Sequence, residues 1–272
     1  MSIFEWLLKI DRKYIFLVIG VLVLASFFIP FKMVIKDTVP VKNVYDSIEK
    51  MDENSCVLIS FDFDPSAEPE LLPMSKAIIR QCLRNKVKVV AIALWPQGVG
   101  LAENSLTTVA EEIGAKRGKD WVNLGWKVGM FQVVLAIGED ITKTFSKDNA
   151  GTPTKNMEIF EKVKNYNDID LVITLAAGNS PDTWVTFAGT KYKAKIAAGV
   201  TAVMAADYYP YLQTKQMIGL VNGLKGAAEY ETLVGKPEKA VRGMTPQSAI
   251  HIAIILFILL GNIGYFLTKN KK

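Results

Sequence analysis

The sequence predicts an α/β chain tethered at both ends: a Rossmann-like three-layer sandwich with a five-stranded parallel sheet, flanked by an N-terminal and a C-terminal transmembrane helix. Three observations predict it. Apolar runs of strand length alternate with helix-length segments through the middle of the chain. Tyr14 to Phe31 reads YIFLVIGVLVLASFFIPF without a charge. Ala249 to Leu267 reads AIHIAIILFILLGNIGYFL, with no charge beyond what His251 can carry. Each run holds the roughly 20 residues that a helix needs to cross about 30 Å of hydrocarbon.

The expected layout has an interfacial amphipathic segment over 1–13, a transmembrane helix over 14–31 and a linker over 32–43. A soluble α/β domain follows over 44–244, then a second transmembrane helix over 245–268 and a basic tail over 269–272. Ile3, Trp6, Leu7 and Ile10 share one face at helical spacing, which suits a helix lying in the membrane interface. The first run exceeds the apolar core of a secretion signal, and Ser26-Phe-Phe-Ile-Pro-Phe lacks the small residues of a cleavage site. An uncleaved anchor follows. Thr245-Pro246 is expected to cap and open the second span, threonine as N-cap and proline at the first helical position.

Half the residues are hydrophobic and the net charge is +5. Basic residues stand singly among acids, which makes a solvated surface and not a nucleic-acid stripe. Lys and Arg also gather beside both spans, where lipid headgroups attract them, so membrane lipids are expected partners. Lys9, Arg12, Lys13, Lys269, Lys271 and Lys272 flank the termini, against Lys32, Lys36, Lys42, Lys236, Lys239 and Arg242 on the domain side. Arg12-Lys13 and the Lys269-Asn-Lys-Lys tail abut the spans, and the first helix weighs most. The positive-inside rule then puts both termini in the cytoplasm of a plasma (inner) membrane and the α/β domain outside it. Cys56 and Cys82 read as buried free thiols.

Within the domain, Val44, Ile48 and Met51 mark a short helix. Strands are expected at Ser55–Phe61, Val87–Leu94, Asp120–Gly125, Ile169–Ala176 and Ala194–Val200, in spatial order 3-2-1-4-5. Helices are expected over Pro73–Asn85, Leu101–Lys116, Lys155–Asn165 and Pro181–Tyr192. Met130, Val134, Ile137, Ile141 and Phe145 keep helical spacing, so Met130–Phe145 is predicted as one buried helix although VVLAIG within it has a strand's composition. Gln213 to Leu233 is predicted as a helix carrying Gly219, Gly223 and Gly226 at i, i+4 and i+7. Glycine costs a helix about 1 kcal/mol relative to alanine, so three on one face imply close approach of another backbone. That backbone belongs to this domain's own sheet or to another subunit, and Tyr208, Tyr209 and Tyr211 ahead of it could sit at headgroup level. Gly261, Asn262 and Gly264 form a similar small-residue patch in the second span.

Open parallel sheets bind ligands outside the carboxyl ends of their strands. Those ends gather Asp62, Asp64, Gln97, Lys127, Asn179, Ser180 and Thr201 as a candidate crevice. Asp62-x-Asp64 is its sharpest feature: two carboxylates could hold a divalent cation, or divide into nucleophile and acid, or simply cap the next loop. The hhhhDxD spelling resembles the first motif of the haloacid-dehalogenase phosphatases over about eight residues. It departs at Pro65-Ser66, where that family has a small residue and threonine. Ser60 or Ser180 with Lys127 is similar to the Ser–Lys dyad of membrane-anchored peptidases of crotonase-like fold, whose glycine-rich signatures are missing here. No GxGxxG follows the first strand, and the sequence has no GxxxxGK[ST] and no G-x-S-x-G. The single histidine, His251, lies in the second span, which excludes a Ser–His pair within the domain.

ALWPQG, GVTAVMAADYYPYL and GLVNGLKGAAEYE resemble an uncharacterised group of prokaryotic two-span membrane proteins with a central α/β domain. The resemblance implies the architecture and no chemistry. Two functions remain as expectations. One is a membrane-anchored, non-catalytic scaffold or assembly subunit that associates with itself or with other membrane subunits, without a resident cofactor. The other is a small-ligand or metal-dependent hydrolase using the crevice around Asp62 and Asp64.

Overall fold

In the computed structural model of the chain, residues 10–28 and 35–269 are described. The expected interfacial positions Ile3, Trp6 and Leu7, the end of the first span, and the tail beyond Lys269 lie outside them. Arg12–Phe28 forms helix α1, with Phe16 and Leu17 among its exposed apolar side chains. Residues Ile35–Val241 make a compact unit of their own.

That unit opens with helix α2 (Val39–Glu49), so the expected linker over 32–43 is already helical from Val39 on. Pro40 sits in the first helical turn, where a missing N–H costs nothing. Val41, Val44 and Ile48 are its fully buried face. Strand β1 (Cys56–Asp62) leads through a 3-10 turn to helix α3 (Glu68–Arg84), and β2 (Lys88–Ala93) leads to α4 (Gly98–Ile113). Strand β3 (Trp121–Trp126) follows, then α5 (Met130–Ile137), α6 (Ile141–Thr144) and α7 (Ile159–Lys162). Strand β4 (Leu171–Ala176) precedes α8 (Ser180–Thr183), which continues as a π-helical stretch over Trp184–Thr190. Strand β5 (Ile196–Val200), helix α9 (Ala205–Gln213), strand β6 (Gly219–Asn222) and helix α10 (Gly223–Leu233) complete the unit. Helix α11 (Lys239–Lys269) follows it.

The strands form one parallel sheet in the order β3-β2-β1-β4-β5-β6. Strands β1, β2, β4 and β5 are apolar almost throughout because helices cover both faces. One face packs on the mutually contacting α2, α3, α4 and α10. The other carries a core built by Val134 and Ile137 of α5, Phe145, Phe160, Trp184 and Tyr208 against Leu58, Ile92, Val122 and Val172.

The sheet has six strands, not five, and the sixth comes from the segment expected to be a glycine-striped helix. Gly219–Asn222 pairs with Ala197–Val200. The i, i+4, i+7 spacing imitated a helix, but the close approaches have separate causes. A Cβ on Gly219 would lie 2.5 Å from Val44 Cγ2 and 2.6 Å from the Pro40 carbonyl oxygen, because α2 presses on the start of β6. Gly223 turns the chain from strand into helix at φ 60°, where a Cβ would stand 2.7 Å from that of Ala202. Gly226 alone is inside the helix, packed on the backbone of Val221. All three contacts are internal to this domain.

Other elements are shorter or start earlier than their patterns predict. Met130–Phe145 breaks into α5 and α6 at Gly138, because the Tyr192 ring occupies the place of a Cβ there and Asp140 caps a new helix. Lys155–Asn165 holds only the single turn of α7 between 3-10 turns. Helix α3 begins at Glu68 and contains Pro73. Helix α11 begins at Lys239, so Thr245-Pro246 does not cap it and Pro246 lies inside. Its N-terminus is capped from elsewhere: the Glu231 carboxylate accepts the backbone N–H groups of Glu238 (2.8 Å), Ala240 (3.1 Å) and Val241 (3.0 Å). Helix α11 is long and apolar enough to cross a membrane, with a mean hydropathy of 2.3 over its apolar window.

Gly219→Ala tests the β6 packing. Thermal or urea unfolding should show a loss of about 1–3 kcal/mol, the range for overpacking a close contact. Gly261→Ala, where nothing lies within 4 Å of the added methyl, should leave the domain's unfolding unchanged. Equal stability of the two variants would refute the account.

Candidate functional site

The carboxyl ends of the strands were expected to form a crevice around two aspartates. Asp62 ends β1 with its side chain fully buried, and five neighbours enclose it. Ser60 Oγ donates to Oδ1 at 2.7 Å and the Leu94 backbone N–H donates to the same oxygen at 2.8 Å. Thr174 Oγ1 donates to Oδ2 at 3.0 Å, and Trp184 Nε1 reaches it at 3.4 Å. Ser180 Oγ, also buried, lies beside the carboxylate and favours its ionised form without completing a hydrogen bond of good geometry. Burial pushes the Asp62 pKa above the ordinary value of 3.8, and hydrogen bonds from Ser60, Leu94 and Thr174 only partly offset it. The arrangement bolts the ends of β1, β2 and β4 and the π-helical stretch to one another.

Asp64 does something different. Its Oδ1 accepts the Ser66 N–H at 2.8 Å and caps the 3-10 turn, which holds its carboxyl below the usual range. The two carboxylates therefore serve separate partners. Among the described residues, no group of three His, Cys, Asp or Glu side chains is placed to hold a metal ion.

The remaining candidates lie at the same sheet edge, Ser180 at the start of α8 and the others on loops, each in its own surroundings. Gln97 is exposed just before α4, whose first residue, Gly98, is pressed so tightly on β1 that a Cβ would overlap the Phe61 carbonyl. Lys127 is exposed, its Nζ 5.6 Å from the centre of the Phe145 ring. Ser60 donates to Asp62, so its hydroxyl does not serve a Ser–Lys dyad with Lys127. Asn179 is exposed, Ser180 buried and Thr201 intermediate, with the Thr201 carbonyl accepting the Met204 N–H. Between them Gly178 fits under the Trp95 ring, leaving 3.0 Å for a Cβ, and its carbonyl accepts the Tyr208 hydroxyl. Packed side chains thus fill the edge around Asp62.

The residues that sequence reading overlooked are those that do the filling: Thr174, Trp184, Tyr208 and Glu70. Glu70, in the first turn of α3, accepts the Ala202 N–H on its Oε2 at 2.8 Å. The tyrosines expected at headgroup level are engaged here as well. Tyr208 is buried, Tyr211 donates to Asp182 at 2.6 Å, and Tyr209 accepts from Asn222. Both thiols, Cys56 and Cys82, are buried and free, and burial raises their pKa values, so neither is a nucleophile at neutral pH. A cleft of 510 Å³ opens at the opposite, amino edge, lined by Arg84, Lys86, Lys88, Lys119 and Glu158 among others. Its cations sit by the carboxyl ends of α3 and α4, where they offset the helix dipoles.

The burial of Asp62 predicts a pH signature. An acid whose folded pKa is raised stabilises the fold fully below the unfolded value of about 3.8 and loses that contribution as pH rises through the folded pKa. Asp62→Asn removes the titration but turns an NH2 group toward donors, Leu94 N–H or Trp184 Nε1–H, that need an acceptor. In urea titrations from pH 4 upward, the variant should be less stable than wild type, by a margin that narrows as pH rises. A margin independent of pH would show that Asp62 does not titrate in this range. No family model, no curated protein and no solved structure matches the chain.

Proposed function

We propose that this protein is a membrane-anchored, non-catalytic assembly subunit, which holds its α/β domain at the membrane surface and joins a larger membrane complex. Both spans cross the plasma (inner) membrane in this reading, with the termini in the cytoplasm and the domain outside. The observation that carries it is the way one helix secures both ends of the domain. In α10, Glu229 accepts the backbone N–H and hydroxyl of Thr38, each at 2.8 Å, at the entry to α2. Two residues on, Glu231 accepts the first N–H groups of α11. Entry and exit of the chain are therefore held by the same buried helix, as a domain suspended from a two-span hairpin requires.

Two further observations support the reading. The carboxylate pair on which the hydrolase alternative depends is divided between a sealed bolt and a loop cap. In α11, Asn262 is exposed beside Gly261, over which there is open space. An amide inside hydrocarbon gains from a partner on another helix, and a neighbouring glycine lets that helix come close. Association through the span replaces the glycine stripe of the soluble domain, whose contacts are internal.

Two measurements test this. Purified in mild detergent, the protein should have the mass of a discrete oligomer or carry a stoichiometric membrane-protein partner, and Asn262→Leu should weaken that association. A monomer with a tightly bound metabolite or metal would overturn it in favour of the hydrolase. For orientation, Glu111→Cys on an exposed turn of α4 should react with a membrane-impermeant maleimide in intact cells, while Cys56 and Cys82 stay silent. Labelling only after the cells are opened would invert the assigned topology.

A further inference from the structure

Among the described residues, three other than glycine have positive φ, and all three are lysines: Lys86 at 61°, Lys193 at 59° and Lys215 at 59°. Each follows the end of a helical segment and leads into a strand, β2, β5 and β6 in turn, at the amino edge of the sheet. Glycine is the usual residue at such a turn, because the left-handed conformation crowds a Cβ. The chain follows that habit after α4 and α10, where Gly114 and Gly235 have φ 82° and 77°. The turn at Lys215 is bonded like the one at Gly235. Gln216 N–H donates to the Tyr211 carbonyl at 2.9 Å and Lys215 N–H to that of Leu212 at 3.1 Å. Lys236 and Gly235 make the matching bonds to Glu231 and Thr232, each at 3.0 Å. Such a turn closes without a side chain, so it is the ammonium group that accounts for lysine there.

Lys193 and Lys215 line one cleft of 370 Å³, between the loops that lead into β5 and β6, and Lys195 lines it too. Ala194 and Ile218, each partly exposed, give it an apolar floor over the buried Val185 and Ile196. No carboxylate is in its lining. Among the described residues none of these three ammonium groups is paired with an acid. In the larger cleft on the same edge, by contrast, Lys119 pairs with Glu158 at 2.8 Å and Lys88 donates to the Glu53 carbonyl at 3.0 Å. Asp46 and Asp170 border an adjoining depression that shares Lys195, but both are engaged. Asp46 faces Lys42 at 3.4 Å, and Asp170 accepts the Cys56 N–H at 2.9 Å. Gln216 adds a further donor: its Oε1 accepts from Thr214, which leaves its NH2 group for a ligand. The two helix ends beside the cleft each carry roughly half a negative charge, so three ammonium groups leave a surplus of about two positive charges.

We infer that this cleft docks an acidic segment of a partner protein, with carboxylates on Lys193, Lys195 and Lys215 and an apolar side chain between them on Ala194 and Ile218. A small phosphate suits it less. Phosphate sites offer backbone N–H groups at a helix N-terminus, whereas here α9 and the π-helical stretch turn their carbonyl ends toward the cleft. The positive charge stands instead at the tips of long, exposed side chains on the rim, where it steers a partner and sets its register. The inference rests on the assembly reading above and adds the chemistry by which a partner is recognised.

The test titrates the full chain, in mild detergent, into a fluorescein-labelled peptide repeating Glu-Glu-Leu and reads anisotropy at low and high salt. Wild type should bind, more weakly as salt rises. Lys193→Gly combined with Lys215→Gly should weaken binding roughly fivefold or more, from the loss of two exposed charge pairs. The same double variant should melt at the wild-type temperature or above it, because glycine suits both turns. Lys86→Gly makes the same backbone change outside this cleft and should keep wild-type affinity. Equal weakening by Lys86→Gly would reduce the effect to net charge and overturn the site. If the double variant melts lower, Lys195→Gln, outside both turns, decides: unchanged affinity there refutes the cleft. Inorganic tripolyphosphate binding more tightly than the peptide would assign the cleft to a small polyanion and overturn the protein segment. No peptide binding, by a protein that still purifies as an oligomer or with a partner, would sink the cleft and leave the assembly reading standing. Peptide bound by a partnerless monomer would do the reverse.

Discussion

Two buried carboxylates on one short helix set the terms for the rest of this molecule. Glu229 and Glu231 are both almost wholly shielded from water, an arrangement that costs several kcal/mol per ion unless donors surround it. The donors are Thr38, at the entry to α2, and Lys225, one turn earlier in the same helix, for the first, and three N–H groups at the start of α11 for the second. A helix N-terminus has unpaired N–H groups that must find acceptors, and a carboxylate at that position also meets the favourable end of the helix dipole. Each side thus satisfies the other. Removing Glu229 would strand the Thr38 donors at the entry to α2, and removing Glu231 would leave the first N–H groups of α11 without their acceptor.

A surface network extends this to the neighbouring helices. Arg80 grips Glu112 of α4 through Nε and Nη2, at 3.0 and 2.9 Å, and Glu238 of the tether at 3.2 Å. Lys236 bridges the same two acids. The guanidinium and ammonium together hold the Glu112 carboxyl down at about 2. An acid depressed in this way stabilises the fold above its unfolded value of about 4.5 and loses that contribution as pH falls toward 2. Its effect therefore has the opposite sign to that of Asp62, whose contribution is greatest in acid. Partial exposure of Glu112 screens the network, so it is not a large stabilising term.

What the sequence makes legible here, and what it hides, divides along physical lines. The parallel sheet and the relative order of its first five strands follow from uninterrupted apolar runs, because only doubly covered strands can be apolar on both sides. Strand β6 was hidden since it is four residues long and its glycines fall at helical intervals by coincidence. Gly219 is small on account of Val44 and the Pro40 carbonyl, some 175 residues earlier in the chain, which no local pattern reports. The break at Gly138 depends in the same way on Tyr192. At the strand ends, chemistry-bearing residue types were legible but their accessibility was not. Asp62 looks like a ligand until Trp184 and Thr174, each more than 100 residues away, close over it. Glu229 and Glu231 gave no signal at all, since a glutamate in a helix is ordinarily on its solvated face.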